Sequence, residues 1–104
     1  MSFQTITLTV IDGVATITLN RLEKRNALNH QLITDITEAA IQVGQDPAVR
    51  VVILTANGTH FCAGADIEWM QQSADKTFDE NIVDGQHLAK MYSTIHFLPK
   101  PTIS

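Results

Sequence analysis

The sequence predicts an α/β protein with a mixed β-sheet, and two patterns carry that prediction. Alternating apolar and polar residues on both sides of Asp12-Gly13 are typical of an antiparallel hairpin. The nearly continuous apolar run Val51–Leu54 is typical of a strand that is buried on both faces, as in a parallel sheet. Helical periodicity separates these two patterns, so we expect helices to flank one sheet that contains both strand orientations.

The predicted hairpin comes first along the chain. In Thr5–Val10 the apolar side chains alternate with threonines, so they share one face of a strand. The same alternation returns in Ala15–Leu19 beyond the turn. Both stretches therefore predict strands with one apolar face.

The first predicted helix lies between the hairpin and the apolar strand. Asn29 is a candidate N-cap, and apolar residues recur at helical spacing from Leu32 to Val43. Gly44 is a natural stop.

A second long helix is predicted to begin at the capping box Thr77-Phe78-Asp79-Glu80 and to close before Pro99-Lys100-Pro101. Thr102–Ser104 has the pattern of another strand, and a short helix is predicted to start at Ile67. Four large side chains are interpreted as core residues: Trp69, Met70, Phe78 and Tyr92.

Composition excludes several classes of function. The chain has 104 residues, a formal net charge of −4 and one cysteine. One cysteine excludes a disulfide framework and a multi-thiolate metal site, and mild acidity disfavours nucleic acid as a partner. No apolar run approaches the roughly 20 residues that cross a bilayer, and Met1–Gln4 lacks the features of a signal peptide. We therefore expect a cytoplasmic protein with no membrane partner.

The spacing of the histidines in the sequence gives no sign of a metal centre. His30, His87 and His96 do not follow a ligand spacing such as His-Glu-x-x-His. The sequence therefore predicts no metal site.

The loop Phe61–Ile67 is the first candidate for chemistry. Ala63, Gly64 and Ala65 have small side chains, so a ligand can approach the backbone where a helix begins. Amides there suit an anion, or the oxyanion that develops on a carbonyl during a reaction. The alternative is a loop that needs small residues only for packing.

Other side chains offer weaker candidates. Glu23–Asn26 could bring cations to phosphates or form a solvated loop, and Cys62 with His60 could form a thiolate pair or pack as a small apolar residue. Asp66 and Glu68 could exchange protons or only complement a helix dipole. Spacing alone leaves these alternatives open.

Five segments, taken together and in order, resemble the enoyl-CoA hydratase/isomerase (crotonase) superfamily: Thr16–Arg21, Lys24–Asn29, Val51–Thr55, Phe61–Ile67 and Leu98–Ile103. Within the superfamily, the sequence most resembles the methylglutaconyl-CoA hydratase branch. The resemblance implies that residues 1–104 are the N-terminal part of a single crotonase-like domain with a ββα spiral fold. The family domain is more than twice as long, so the chain is expected to be truncated.

Family members bind acyl-CoA thioesters and stabilise a thioester enolate with two backbone amides. The resemblance implies that the amide of Ala65 is the first oxyanion-hole donor. It implies a set of residues along coenzyme A: Lys24, Arg25, Ala27, Ala63, Gly64, Asp66 and Ile67. Coenzyme A would be part of the substrate, with no separate cofactor. Leu22 stands where the family usually has proline, which changes loop stiffness.

The same resemblance implies what these residues do not supply. In the family, the second amide donor and the acid/base carboxylates follow the Lys-Pro-Thr-Ile strand, so the 104 residues alone are expected to be inactive. The alternative function is a non-catalytic CoA-binding module or pseudoenzyme. Family members tend to form homotrimers or hexamers and act in fatty acid or branched-chain amino acid catabolism.

Overall fold

The structure is a computed structural model that describes residues 3–21, 28–57 and 76–103. Those ranges contain the following elements: β1 (Ile6–Ile11), β2 (Val14–Leu19), α1 (His30–Gln45), β3 (Val51–Ala56), α2 (Phe78–His96) and β4 (Thr102–Ile103). The predicted short helix from Ile67 lies outside the described residues. So do the core predictions for Trp69, Met70 and the side chain of Phe78.

The four described strands form one mixed sheet in the order β1-β2-β3-β4. β1 and β2 are antiparallel, with Ile6 opposite Leu19, whereas β3 runs parallel to both β2 and β4. Parallel neighbours need a crossover connection, and α1 and α2 lie in the two connections. The predicted α/β class with a mixed sheet is therefore confirmed.

The hairpin turn is formed by Asp12 and Gly13, as predicted. Both residues have positive φ, 53° and 81°, which is the backbone of a type I′ turn. A Cβ at Gly13 would lie 2.8 Å from Nε of Arg50. Glycine is favoured here by its positive-φ backbone, and the exposed Arg50 side chain would have to shift if another residue stood in its place.

The core lies between the sheet and α1, which contacts β1, β2 and α2. Ile17 of β2 and Leu32 of α1 are among the largest fully buried side chains. Complete burial of a side chain of this size stabilises the fold by about 1.5–3 kcal/mol. α1 has a wide buried stripe because it packs against several elements, and its buried apolar residues are Leu32, Ile33, Ile36, Ala39, Ala40 and Val43.

A buried carboxylate ties α1 to the start of β1. Asp35 is 2% exposed, and its Oδ2 accepts hydrogen bonds from the Thr5 amide (2.9 Å), the Thr5 hydroxyl (2.7 Å) and the Gln4 amide (3.1 Å). Oδ1 accepts from Nε2 of Gln31 at 2.8 Å. Four donors thus compensate for burial of this carboxylate.

The ends of α1 show one confirmed prediction and one wrong one. Asn29 is the N-cap, and its side chain accepts a hydrogen bond from the Leu32 amide at 3.0 Å. The helix continues through Gly44 and is capped by Asp46 instead. A Cβ at Gly44 would lie 3.0 Å from Cδ2 of Leu98, so this glycine accommodates packing rather than ending the helix.

The segment before β4 is fastened to the carboxyl end of α1. Nζ of Lys100 donates to the Val43 carbonyl at 2.7 Å and also to the Asp46 carbonyl. Carbonyls at a helix end lack partners within the helix, and a cation there complements the helix dipole. The Pro101 carbonyl accepts from the Val52 amide at 2.9 Å, which starts the pairing of β4 with β3.

α2 begins as predicted but is rotated from its predicted orientation. Thr77 and Glu80 form the reciprocal capping box. Met91 is 3% exposed and Leu88 and Ile95 pack against the core, whereas Tyr92 is 58% exposed. The prediction that Tyr92 is a core residue is wrong, because the stripe facing α1 runs one position away from it. Within the described ranges, neither helix has the apolar composition that crossing a bilayer requires.

Candidate functional site

The carboxyl ends of the parallel strands meet at one edge of the sheet. Leu19, the last residue of β2, lies opposite Ala56, the last residue of β3. β4 runs in the same direction beside β3, with Thr102 opposite Val52. In open α/β sheets, ligands bind outside the carboxyl ends of such strands.

A pair of asparagines holds the ends of β2 and β3 together. The Asn57 amide donates to the Leu19 carbonyl at 2.9 Å. Nδ2 of Asn57 donates to Oδ1 of Asn20 at 3.1 Å. The two positions from which the predicted ligand loops depart are therefore joined by both backbone and side-chain hydrogen bonds.

Arg21 adds a positive charge to this edge. It follows Asn20 directly and is only 9% exposed, which is rare for an arginine. The sequence placed Arg21 in a motif but did not predict its burial.

The predicted site residues lie outside the described residues. This holds for Ala65 and for the whole predicted coenzyme A set: Lys24, Arg25, Ala27, Ala63, Gly64, Asp66 and Ile67. It also holds for His60, Cys62 and Glu68, so their roles stay predictions. What the structure establishes is that segments 22–27 and 58–75 both follow strands that end at the same edge.

A second group of polar side chains lies between α1 and α2. His30, Asp84 and His87 each place a potential ligand atom within 4.8 Å of the others. The two histidines border a cleft of about 280 Å³ whose lining also includes Ile33 and Lys90. Sequence spacing did not predict this cluster, because His30 is far along the chain from the other two residues.

The described part of the chain is thus an α/β protein with a candidate ligand site at the carboxyl edge of its parallel strands. A family model described as enoyl-CoA hydratase/isomerase matches residues 9–104. The chain belongs to this family and corresponds to the N-terminal part of its domain. The predicted superfamily is confirmed, while the methylglutaconyl-CoA branch stays a prediction.

Individual relatives agree with the family match. A crotonyl-CoA hydratase of Syntrophomonas wolfei is 34% identical over 105 residues, which cover 100% of this chain and 39% of the relative. A trans-2-decenoyl-acyl-carrier-protein isomerase of Streptococcus mutans is 34% identical over 107 residues, covering 99% of this chain and 40% of the relative. The crystal structure of an enoyl-CoA hydratase from Shewanella pealeana matches with a TM-score of 0.94 at 32% identity, over 96% of this chain and 38% of that one. The chain therefore spans about two fifths of the length of these relatives.

Proposed function

We propose that these residues supply part of an acyl-thioester site in an enzyme that stabilises an enolate formed at the thioester carbonyl. The observation that carries this proposal is the joined carboxyl edge of β2 and β3. Both predicted ligand loops depart from it, and the Asn20–Asn57 hydrogen bond fixes their origins. One loop carries cations for phosphates, and the other carries small residues beside a helix start.

The reaction class follows from charge that develops on one oxygen. When water adds across the α,β double bond, or when that bond migrates, negative charge moves onto the thioester carbonyl. A fixed amide aimed at that oxygen stabilises the transition state more than the ground state. We assign this role to the Ala65 amide. One relative is named as a crotonyl-CoA hydratase and another as an acyl-carrier-protein isomerase. These names support a thioester as the substrate class, and they do not determine which acyl group the thioester carries.

The 104 residues by themselves are proposed to be inactive. By resemblance, the second oxyanion donor and the acid/base carboxylates follow the strand that β4 begins. The alternative is a module that binds coenzyme A without catalysis, which the charged loop would also serve. A cytoplasmic location, a trimeric or hexameric assembly and a catabolic role remain predictions.

Calorimetry with coenzyme A tests the binding part of the proposal. We expect the double variant Lys24→Glu/Arg25→Glu to weaken binding by about 10²–10⁴-fold, because it removes two charge-assisted hydrogen bonds, each worth roughly 1.5–3 kcal/mol. The matched control is Arg50→Glu/Lys90→Glu, which reverses two exposed cations that are not part of the predicted loop sequences. Both variants change the net charge of the chain equally, so general electrostatic repulsion of coenzyme A affects them alike.

Two results would contradict the proposed role of Lys24 and Arg25 in binding coenzyme A. Equal weakening in both double variants would show that coenzyme A responds to overall charge only. Unchanged binding by the Lys24/Arg25 variant would remove these residues from the phosphate site. Circular dichroism confirms that each variant keeps the helical content of the native chain.

A further inference from the structure

The packing of α1 against α2 brings the imidazole of His30 close to a carboxylate and a second imidazole from a distant part of the chain. His30 is the first residue of α1, and Asp84 and His87 lie on α2. The ring centroids of the two histidines are 5.7 Å apart. One ligand atom from each of the three residues falls within 4.8 Å of the other two.

Local structure explains why these residues converge. Asp84 and His87 are separated by one helical turn, so they share a face of α2. A carboxylate and a histidine at this i, i+3 spacing form a common ligand pair in helical metal sites. The packing of α1 against α2 then brings His30 to the same face.

The distances between the three ligand atoms can be compared with those around a bound zinc ion. Tetrahedral zinc with bonds of about 2.1 Å places its ligand atoms about 3.4 Å apart, whereas these atoms lie within 4.8 Å of one another, so the side chains must move closer by up to about 1.4 Å. Both histidines are exposed, so solvent leaves room for their rings to adjust, whereas Asp84 is half-buried. Lys76 donates to Oδ2 of Asp84 at 2.5 Å and orients that carboxylate, as an outer partner does for a metal ligand.

We propose that His30, Asp84 and His87 form a binding site for Zn²⁺. Two neutral imidazoles and one carboxylate are ligands that zinc prefers, and three protein ligands leave the fourth position to water. The adjacent cleft has room for that water. This proposal replaces the sequence-based expectation of no metal site, and it is independent of the proposed thioester chemistry.

The test is a zinc titration of the native chain in competition with a chromogenic chelator. We expect one zinc ion per chain, and a loss of at least about 10-fold in affinity for His30→Ala, His87→Ala and Asp84→Asn. His96→Ala is the matched control, because His96 is an exposed histidine on the same helix but outside the cluster. Its affinity should equal that of the native chain.

Imidazole nitrogen NMR of the native chain gives a second measurement that needs no variant to fold. Stoichiometric zinc should shift the signals of His30 and His87 together and leave those of His96 in place. The proposal is overturned if the native chain binds no zinc, if the His96 variant weakens as much as the others, or if the His30 and His87 signals stay unmoved.

Discussion

Replacing the Ala65 amide with an ester is expected to lower kcat for enoyl-thioester hydration by about 10²–10³-fold, the usual cost of one oxyanion donor. Incorporating lactic acid at this position keeps the methyl side chain and removes only the N–H. The experiment uses a polypeptide in which these 104 residues are joined to the remainder of the family domain. Because the donor acts mainly on developing charge, kcat should fall far more than KM rises.

The matched control is the same ester at Ala89. This alanine is exposed on α2 and has no predicted contact with substrate, so its ester removes a backbone donor without touching the site. We expect native kcat for that variant. Equal losses at both positions, or full activity with the Ala65 ester, would contradict the role assigned to this amide.

Asp35→Ala is expected to cause the largest loss of stability among single substitutions at the described residues that we consider, about 3 kcal/mol. The substitution removes the acceptor of both the amide and the hydroxyl of Thr5, and Thr5 is itself only 9% exposed. Buried donors without a partner cost more than the net value of their hydrogen bonds. Urea denaturation should therefore show a lower midpoint with an unchanged slope.

Gln42→Ala supplies the comparison for Asp35. Gln42 is exposed on the same helix, and its substitution is expected to change the free energy of unfolding by no more than about 0.5 kcal/mol. Asp35→Asn, which keeps the shape and one acceptor oxygen, should fall between the two. If Asp35→Ala were as stable as Gln42→Ala, the hydrogen-bond network would not be what fastens β1 to α1.

Local patterns were sufficient for much of the fold. The type I′ turn at Asp12-Gly13, the N-cap at Asn29 and the capping box at Thr77 depend on residues within a few positions of one another. The parallel orientation of β3 was predictable because Val51–Leu54 is apolar on both faces. In the turn and at the two helix starts, the interactions that determine the structure join residues that are close in sequence.

Features that depend on packing between elements were not predictable in the same way. The burial of Met91 instead of Tyr92 is set by the rotation of α2 against α1. The tight space at Gly44 is set by Leu98, which is distant in sequence. His30 and His87 likewise lie close together because α1 packs against α2. The spacing of residues within either helix does not predict that packing.

The candidate thioester site likewise has some features that local sequence predicts and others that depend on the fold. Its candidate residues were predicted from motifs, since small residues beside a predicted helix start and cations in a predicted loop are recognisable from local sequence; those residues lie outside the described ranges, so they stay predictions. That both loops depart from one sheet edge follows only from the pairing of Leu19 with Ala56. The buried Arg21 at that edge was not foreseen, because burial of a charged residue is decided by its surroundings in the fold.

Hydration of a panel of enoyl-CoA thioesters that includes crotonyl-CoA tests the central claim most directly. The assay compares the 104-residue chain with a polypeptide in which it is joined to the remaining domain of the Shewanella pealeana relative. We predict that the joined polypeptide hydrates at least one thioester and that the chain alone is slower by at least about 10⁴-fold, since the resemblance assigns the second oxyanion donor and the acid/base groups to the part of the family domain that follows these residues. Comparable turnover by the chain alone, or none by the joined polypeptide with any thioester, would contradict the claim that these residues hold one part of an enolate-stabilising site.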